Sequence, residues 1–346
     1  MRALFSWDMF DSAHGWYCEP PASANGTAAM TLLGPEQVAP APFVEALPCW
    51  SATTPAGSWV EVQLRARCVS CWTGFYRIAQ WDNLREGSVR HSFEAQQDAG
   101  GHVATDTLIL AGPADAIQPR LLLHTTAGEL PSIRVLRVAL SGPAAPRAAR
   151  ARFAARELPV PARSQMVYPN GGNVWCSPTS VTMLLAYWYA QTGDARLAPF
   201  VEHSAIPELV VPQVYDPIYA GHGNWGFNTA FAASLGVEAY VARLAGLGQL
   251  EPWIAAGVPV VISVSCVGIT NAAAPASTGH LLVVAGFDDQ GNVIVADPAG
   301  RQQCDVRRTY DAAELERAWL DGSGGTIYLI YPHGWRVPLS AGTTNY

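Results

Sequence analysis

Between residues 59 and 140 the chain alternates apolar and polar positions in short runs. The clearest is Trp59-Val60-Glu61-Val62-Gln63-Leu64-Arg65-Ala66-Arg67, whose period of two places one face in a core and the other in water. Further runs at Gly74–Trp81, Val89–Gln96, Val103–Leu110, Arg120–Thr126 and Ile133–Leu140 are bounded by Gly, Pro, Asp or Asn clusters, with no helical period between them. The spacing predicts an all-β antiparallel sandwich over residues 1–145, jelly-roll-like in character.

Beyond residue 160 the period changes. Ser177–Thr192 places Val181, Leu184, Leu185 and Trp188 on one stripe, with Pro178 in the first turn, where a missing N–H costs nothing. Shorter helices are predicted at Asn228–Leu235, Leu247–Ala256 and Ala312–Leu320, and strands at Val258–Val264, His280–Asp288, Asn292–Asp297 and Thr326–Tyr331. The fold class is therefore α+β, with an α+β domain over 161–346 and an Ala/Pro/Arg-rich linker at 146–160 joining it to the sandwich.

Composition narrows the function classes. Charged residues make up 14% of the 346, and 49% are hydrophobic, which excludes a disordered or charge-rich helical chain. The net charge is −7 and every one of the 21 basic side chains is arginine, leaving no broad cationic face for nucleic acid. No run approaches the ~18 consecutive apolar residues of a membrane helix, so no membrane span is expected. Asp8 and Asp11 fall where a signal peptide keeps its apolar segment, so the location expected by default is cytoplasmic; an extracellular one follows if the start is mis-set.

Seven cysteines are too few for a disulfide scaffold at this length. One of them has a special setting: Gly171-Gly172-Asn173-Val174-Trp175-Cys176-Ser177-Pro178 runs from a glycine-rich loop into the apolar helix. A thiol at a helix N-terminus meets unpaired backbone N–H groups, which favour thiolate; the alternative for Cys176 is a buried structural cysteine. A nucleophilic thiol needs an imidazole and a group that orients it. Gly279-His280 opens a hydrophobic strand, Asp288-Asp289-Gln290-Gly291-Asn292 makes a hairpin turn, and the return strand ends at Asp297-Pro298, seventeen residues after His280. The hairpin predicts Asp297 beside His280, with Asp288 and Asp289 at its far tip. His222 is an alternative base, but it lacks a following strand and a partnered carboxylate.

These residues resemble the papain-like cysteine peptidases of the bacterial group related to the bacteriocin-processing, double-glycine leader peptidases. The resemblance rests on Ser164-Gln165, Cys176-Ser177-Pro178-Thr179-Ser180, Gly279-His280 and Asp297-Pro298, in that order, and covers roughly 161–332. It implies Cys176 as nucleophile, His280 as general base and acid, Asp297 as orienter and Gln165 as oxyanion donor alongside the Cys176 N–H. Gln165 lies eleven residues before the cysteine, farther than in the leader peptidases, so the intervening loop has to bulge; Asn173 is a competing donor. The block Gly221-His222-Gly223-Asn224-Trp225-Gly226-Phe227 is similar to one in these bacterial members, which marks Asn224 and Trp225, with Asn173, Trp175 and Gly279, as cleft-lining candidates.

The expected activity is cleavage of peptide bonds, with a peptide or protein as substrate. Transamidation, isopeptide cleavage and cell-wall amide hydrolysis would use the same groups, and a non-catalytic glycan- or protein-binding module is the alternative from another class. The sandwich is a candidate site for a glycan or protein ligand. No cofactor and no metal are implied: Cys68-Val69-Ser70-Cys71 has half-site spacing but no second pair of ligands nearby.

Overall fold

A computed structural model describes residues 1–19, 28–69, 71–85, 87–126, 128–142, 153–338 and 343–345. The chain divides into two compact units, one of Met1–Ala145, Asp216–Ala230 and Ala341–Tyr346, the other of Pro146–Tyr215 and Phe231–Ser340.

The sheet of the first unit is antiparallel apart from one parallel pairing at Thr343–Asn345. Its core is built on Gln37–Thr53, Ser58–Cys68, Thr107–Thr125 and Ser132–Ser141. The alternating segment at 59–67 is a strand with Val60, Val62, Leu64 and Ala66 fully buried, and it runs against Thr107–Thr125. The run expected as one strand at Val103–Leu110 is instead a hairpin, Gly101–Ala104 paired with the start of Thr107–Thr125, because Thr105 takes a left-handed φ of 56°. Of Val89–Gln96, only His91–Ser92 is strand. Gln37–Thr53 was hidden by its prolines; Pro40 and Pro42 fall where its pairing with Thr107–Thr125 is interrupted, between Val38↔Ala116 and Phe43↔Ala114.

Segment 216–230, read from sequence as part of the second domain, clusters with the first unit. Phe227 packs against Trp81 and Trp50, with ring centroids 5.3 and 6.4 Å away. The fully buried Asp216 carboxylate accepts N–H groups from Ser92 and Ile218, each at 3.1 Å, and the Asn224 amide at 2.9 Å. These donors satisfy the carboxylate oxygens inside the fold.

The second unit is an antiparallel sheet in the order Val237–Arg243, Thr326–Pro332, Val260–Val264, His280–Phe287, Val293–Ala296, Arg307–Tyr310. Residues 146–152 of the expected linker lie outside the described residues; farther along it, Arg156–Glu157 pairs with Phe287 and Gly286. The long helix is Cys176–Thr192, stopped by Gly193 at φ 68°. Its expected apolar stripe is a fully buried length from Ser177 to Trp188. Two of its large side chains satisfy their polar atoms on other backbone: Trp188 Nε1 donates to the Ile330 carbonyl at 2.6 Å and the Tyr187 hydroxyl to that of Gly257 at 2.8 Å.

Candidate functional site

Cys176 is the first residue of the long helix. Trp175 at the N-cap supplies no side-chain cap, and Pro178 has no N–H to leave unpaired. The Ser177 N–H is thereby available to the Cys176 sulfur, and the Leu281 N–H reaches the same sulfur from the neighbouring strand. The thiol is half-buried.

His280 opens the central strand His280–Phe287, paired with Val264, and is 3% exposed. Its Nε2 lies 2.7 Å from Asp297 Oδ1, and the ring is also hydrogen-bonded to Cys176, for which Nδ1 is the nitrogen that remains. Asp297 follows directly on Val293–Ala296; its backbone N–H donates to Val306 O at 2.7 Å and its side chain is fully buried. Oδ1 also accepts the Ala299 N–H at 2.9 Å, and Oδ2 accepts the Tyr310 hydroxyl at 2.7 Å.

The electrostatics follow from this packing. Burial opposes a thiolate at Cys176, but the hydrogen bond and charge of His280, with the two backbone N–H groups, outweigh it and hold the thiol below its ordinary value. Burial likewise opposes an imidazolium at His280, yet the Asp297 charge and hydrogen bond, then Cys176, raise its pKa well above the ordinary 6.5. Asp297 stays ionised against burial because His280, Tyr310 and the Ala299 N–H stabilise its carboxylate. Cys266 is the contrast: it is buried without such hydrogen bonds, and burial pushes its thiol up to about 11. Of the two thiols, one is shifted toward thiolate and the other toward the neutral thiol.

Residues 157–326 match the model of the Peptidase C39 like family, and residues 21–142 match that of the Peptidase C39 N-terminal domain. The chain belongs to the C39-like cysteine peptidases. A search of curated proteins returned no match. Among solved structures, the chain is similar to a C39-like peptidase from Bacillus anthracis at 16% identity and TM-score 0.35, over 53% of this chain and 100% of that one. A structure of the infectious bursal disease virus Gx strain matches at 9% identity and TM-score 0.22, over 42% of this chain and 35% of that one.

Within the C39-like domain the eleven-residue gap before Cys176 is taken up by two 3₁₀ turns, Gln165–Val167 and Gly172–Val174. The Gln165 backbone N–H donates to Pro298 O at 2.9 Å and the Ser164 hydroxyl to Gly300 O, so this loop is fastened to the segment that follows Asp297. Glycine is required at 172, where a Cβ would lie 2.1 Å from the Gln165 carbonyl oxygen. The Gln165 side chain is 2% exposed and its amide oxygen has no hydrogen-bond partner. Asn173 and Gly279 are exposed and Trp175 is half-buried. Asn224 and Trp225 belong to the first unit, with the Asn224 amide engaged by Asp216 and the Trp225 N–H by Asp106. Burial pushes His222, also in the first unit, down to about 4. Asp288 caps its own turn, accepting the Gln290 and Asn292 N–H groups. Cys68 and Cys71 face each other as register partners with both thiols free. Among the described residues no group of three or more His, Cys, Asp or Glu could hold a metal ion, and no helix is long and apolar enough to cross a membrane.

Sequence reasoning missed Tyr310. It stands thirteen residues beyond Asp297 at the end of a strand of otherwise polar residues, Arg307-Arg308-Thr309-Tyr310, and nothing in the local pattern ties its hydroxyl to a carboxylate.

Proposed function

We propose that Cys176, His280 and Asp297 act as a triad that cleaves peptide bonds through an acyl-thioester. The observation that carries this reading is the continuous hydrogen-bonded line from the Cys176 sulfur through the His280 ring to the Asp297 carboxylate, all three in one unit. The Cys176 thiolate adds to the scissile carbonyl carbon, and the charge that develops on its oxygen is taken by the Cys176 backbone N–H and the Gln165 amide. Gln165 offers an amide N–H₂ donor for that role, on a 2% exposed side chain in the loop that runs into Cys176. Collapse of the tetrahedral intermediate breaks the C–N bond as His280 gives its proton to the leaving amine. Water, losing a proton to the same ring, then releases the acyl group and restores the thiol. Gly279, exposed and with open space where a Cβ would stand, leaves room for an extended substrate beside His280.

Transamidation, isopeptide cleavage and cell-wall amide hydrolysis differ from this scheme only in the acceptor or the amide attacked. Turnover of a peptide library by the full chain, read by mass spectrometry with and without an added primary amine, separates them: hydrolysed products in both conditions are expected. Amine-capped products as the main species would assign the site to transfer.

For the first unit, an open cavity of about 410 Å³ supports a ligand-binding accessory role. Its wall combines Phe93 and the half-exposed Tyr219 with Ser92, Glu94 and Thr105, a mixture of ring faces and hydroxyl or carboxylate partners that suits a neutral glycan. Glycan-array binding by the full chain that is lost in Tyr219→Ala is expected; retention of a protein ligand alone would assign the cavity to protein recognition.

A further inference from the structure

Asp297 is fully buried, and its two oxygens are served differently. Oδ1 faces His280 and the Ala299 N–H, while Oδ2 has one partner, the Tyr310 hydroxyl at 2.7 Å. The same hydroxyl accepts the Ala273 N–H at 3.1 Å, so both its proton and a lone pair are used inside the protein, and Tyr310 itself is 2% exposed. Ala273 lies in the segment that runs from the end of Val260–Val264 to His280. That segment is also fixed by the Thr270 N–H and hydroxyl on Glu314, at 2.8 and 3.0 Å, and by Arg308 on the Asn271 carbonyl at 3.1 Å. It bends through Asn271, whose φ of 57° is left-handed.

From this geometry, and building on the triad reading above, we propose that Tyr310 is a positioning residue for the reaction: its hydroxyl sets the orientation and charge distribution of the Asp297 carboxylate and ties the chain leading into His280 to the same hydrogen-bonded network. The line then runs Ala273 N–H, Tyr310 O–H, Asp297, His280, Cys176, each bond polarising the next. A phenylalanine would fill the same volume, but Oδ2 would be left in a dry site with no donor. A carboxylate deprived of a donor holds a proton more readily, and the Tyr310 bond is one of the contacts that keep Asp297 ionised against burial. The titratable and charged groups facing this network are His280 from the central strand, Cys176 from the helix, Cys266 from the segment after Val260–Val264, and Arg308 beside Tyr310. Protonation is shared among them, so a higher proton affinity at Asp297 appears as an upward move of the acid limb of the whole site.

The test reads the pH dependence of Cys176 itself, so it needs no natural substrate. Wild type and Tyr310→Phe are alkylated with iodoacetamide across a pH series, and the peptide Ser164–Arg196, which holds no other cysteine, is followed by mass spectrometry. The expected result for the variant is an acid limb displaced to higher pH and a peptidase kcat/KM lower by about 10- to 100-fold, the scale for losing a hydrogen bond to a charged group. Replacing Tyr310 by 3-fluorotyrosine, a stronger donor of the same shape, moves the limb to lower pH and covers the case in which the phenylalanine variant folds poorly. An unmoved acid limb in both proteins overturns the proposal, whatever the change in melting temperature, since a purely structural tyrosine would alter stability without moving the titration. Cys176→Ala and Asp297→Asn serve as references. If those two retain activity, the triad reading fails; if they are inactive while both Tyr310 replacements titrate like wild type, only the role of Tyr310 fails.

Discussion

His280 Nε2 and Asp297 Oδ1 are 2.7 Å apart in a pair that is 3% and 0% exposed. That contact decides the tautomer of the ring: with Nε2–H donated to the carboxylate, Nδ1 is the nitrogen that exchanges a proton with sulfur. The downward shift at Cys176 and the upward shift at His280 are two faces of this arrangement, and both favour the charged forms that the proposed mechanism uses.

The pH profile follows with its sign. Cys176 is held below its ordinary value and His280 well above 6.5; the proposed mechanism requires the thiol to titrate below the imidazolium, with the charged pair present between the two. As pH falls through the Cys176 value the thiolate takes a proton and activity drops; as pH rises through the His280 value the imidazolium loses the proton needed by the leaving amine. A bell-shaped kcat/KM is expected, with its acid limb below the ~8.5 of an ordinary thiol. A single rise centred near that ordinary value would mean that the pair does not form.

Asp297→Asn keeps the side-chain volume but removes the charge that supports the imidazolium and leaves the ring free to adopt the wrong tautomer. A loss of roughly 10²- to 10⁴-fold in kcat is expected, by the logic of orienting carboxylates in nucleophile–histidine sites. Steady-state kinetics on one peptide substrate measures it.

For Gln165→Ala the expected signature is a split between constants. If the amide binds the oxygen only as its charge develops, kcat falls by about 10²- to 10³-fold with little change in KM. An equal loss in Asn173→Ala, with Gln165→Ala unaffected, would transfer the role to the exposed asparagine.

The hairpin carrying His280 and Asp297 and the helix opened by Cys176 were legible because each has a local signature: a hydrophobic strand after Gly279, turn residues at 288–292, a proline in the first helical turn. The triad's line of contacts needed only those three local facts and one sheet. What escaped depends on long-range packing. The burial of segment 216–230 among Trp50, Trp81 and Ser92 joins residues more than a hundred positions apart, and no local period encodes it. Strand Gln37–Thr53 was masked by prolines that only a bulged partner accommodates. The helix Cys176–Thr192 is legible in the sequence only by its stripe of Val181, Leu184, Leu185 and Trp188; its other faces are buried too, with Ser177, Ser180 and Thr182 bonded to Tyr328, Leu281 O and Pro178 O.

Two structural substitutions probe that packing. Gly172→Ala drives a methyl group into the Gln165 carbonyl, so about 1–3 kcal/mol of destabilisation is expected, together with a loss of peptidase activity larger than the stability change explains, because the displaced loop carries Gln165. Trp188→Ala empties a fully buried site and frees the Ile330 carbonyl; a cost of about 3–5 kcal/mol in urea unfolding is expected.

The central claim is that the Cys176 sulfur is the nucleophile of the second unit. Its most direct measurement is turnover of a peptide library by purified full-length protein beside Cys176→Ala, with thermal unfolding recorded on both. Cleavage by wild type, none by the alanine variant and matching unfolding curves are predicted. Undiminished cleavage by a well-folded Cys176→Ala protein would contradict the account.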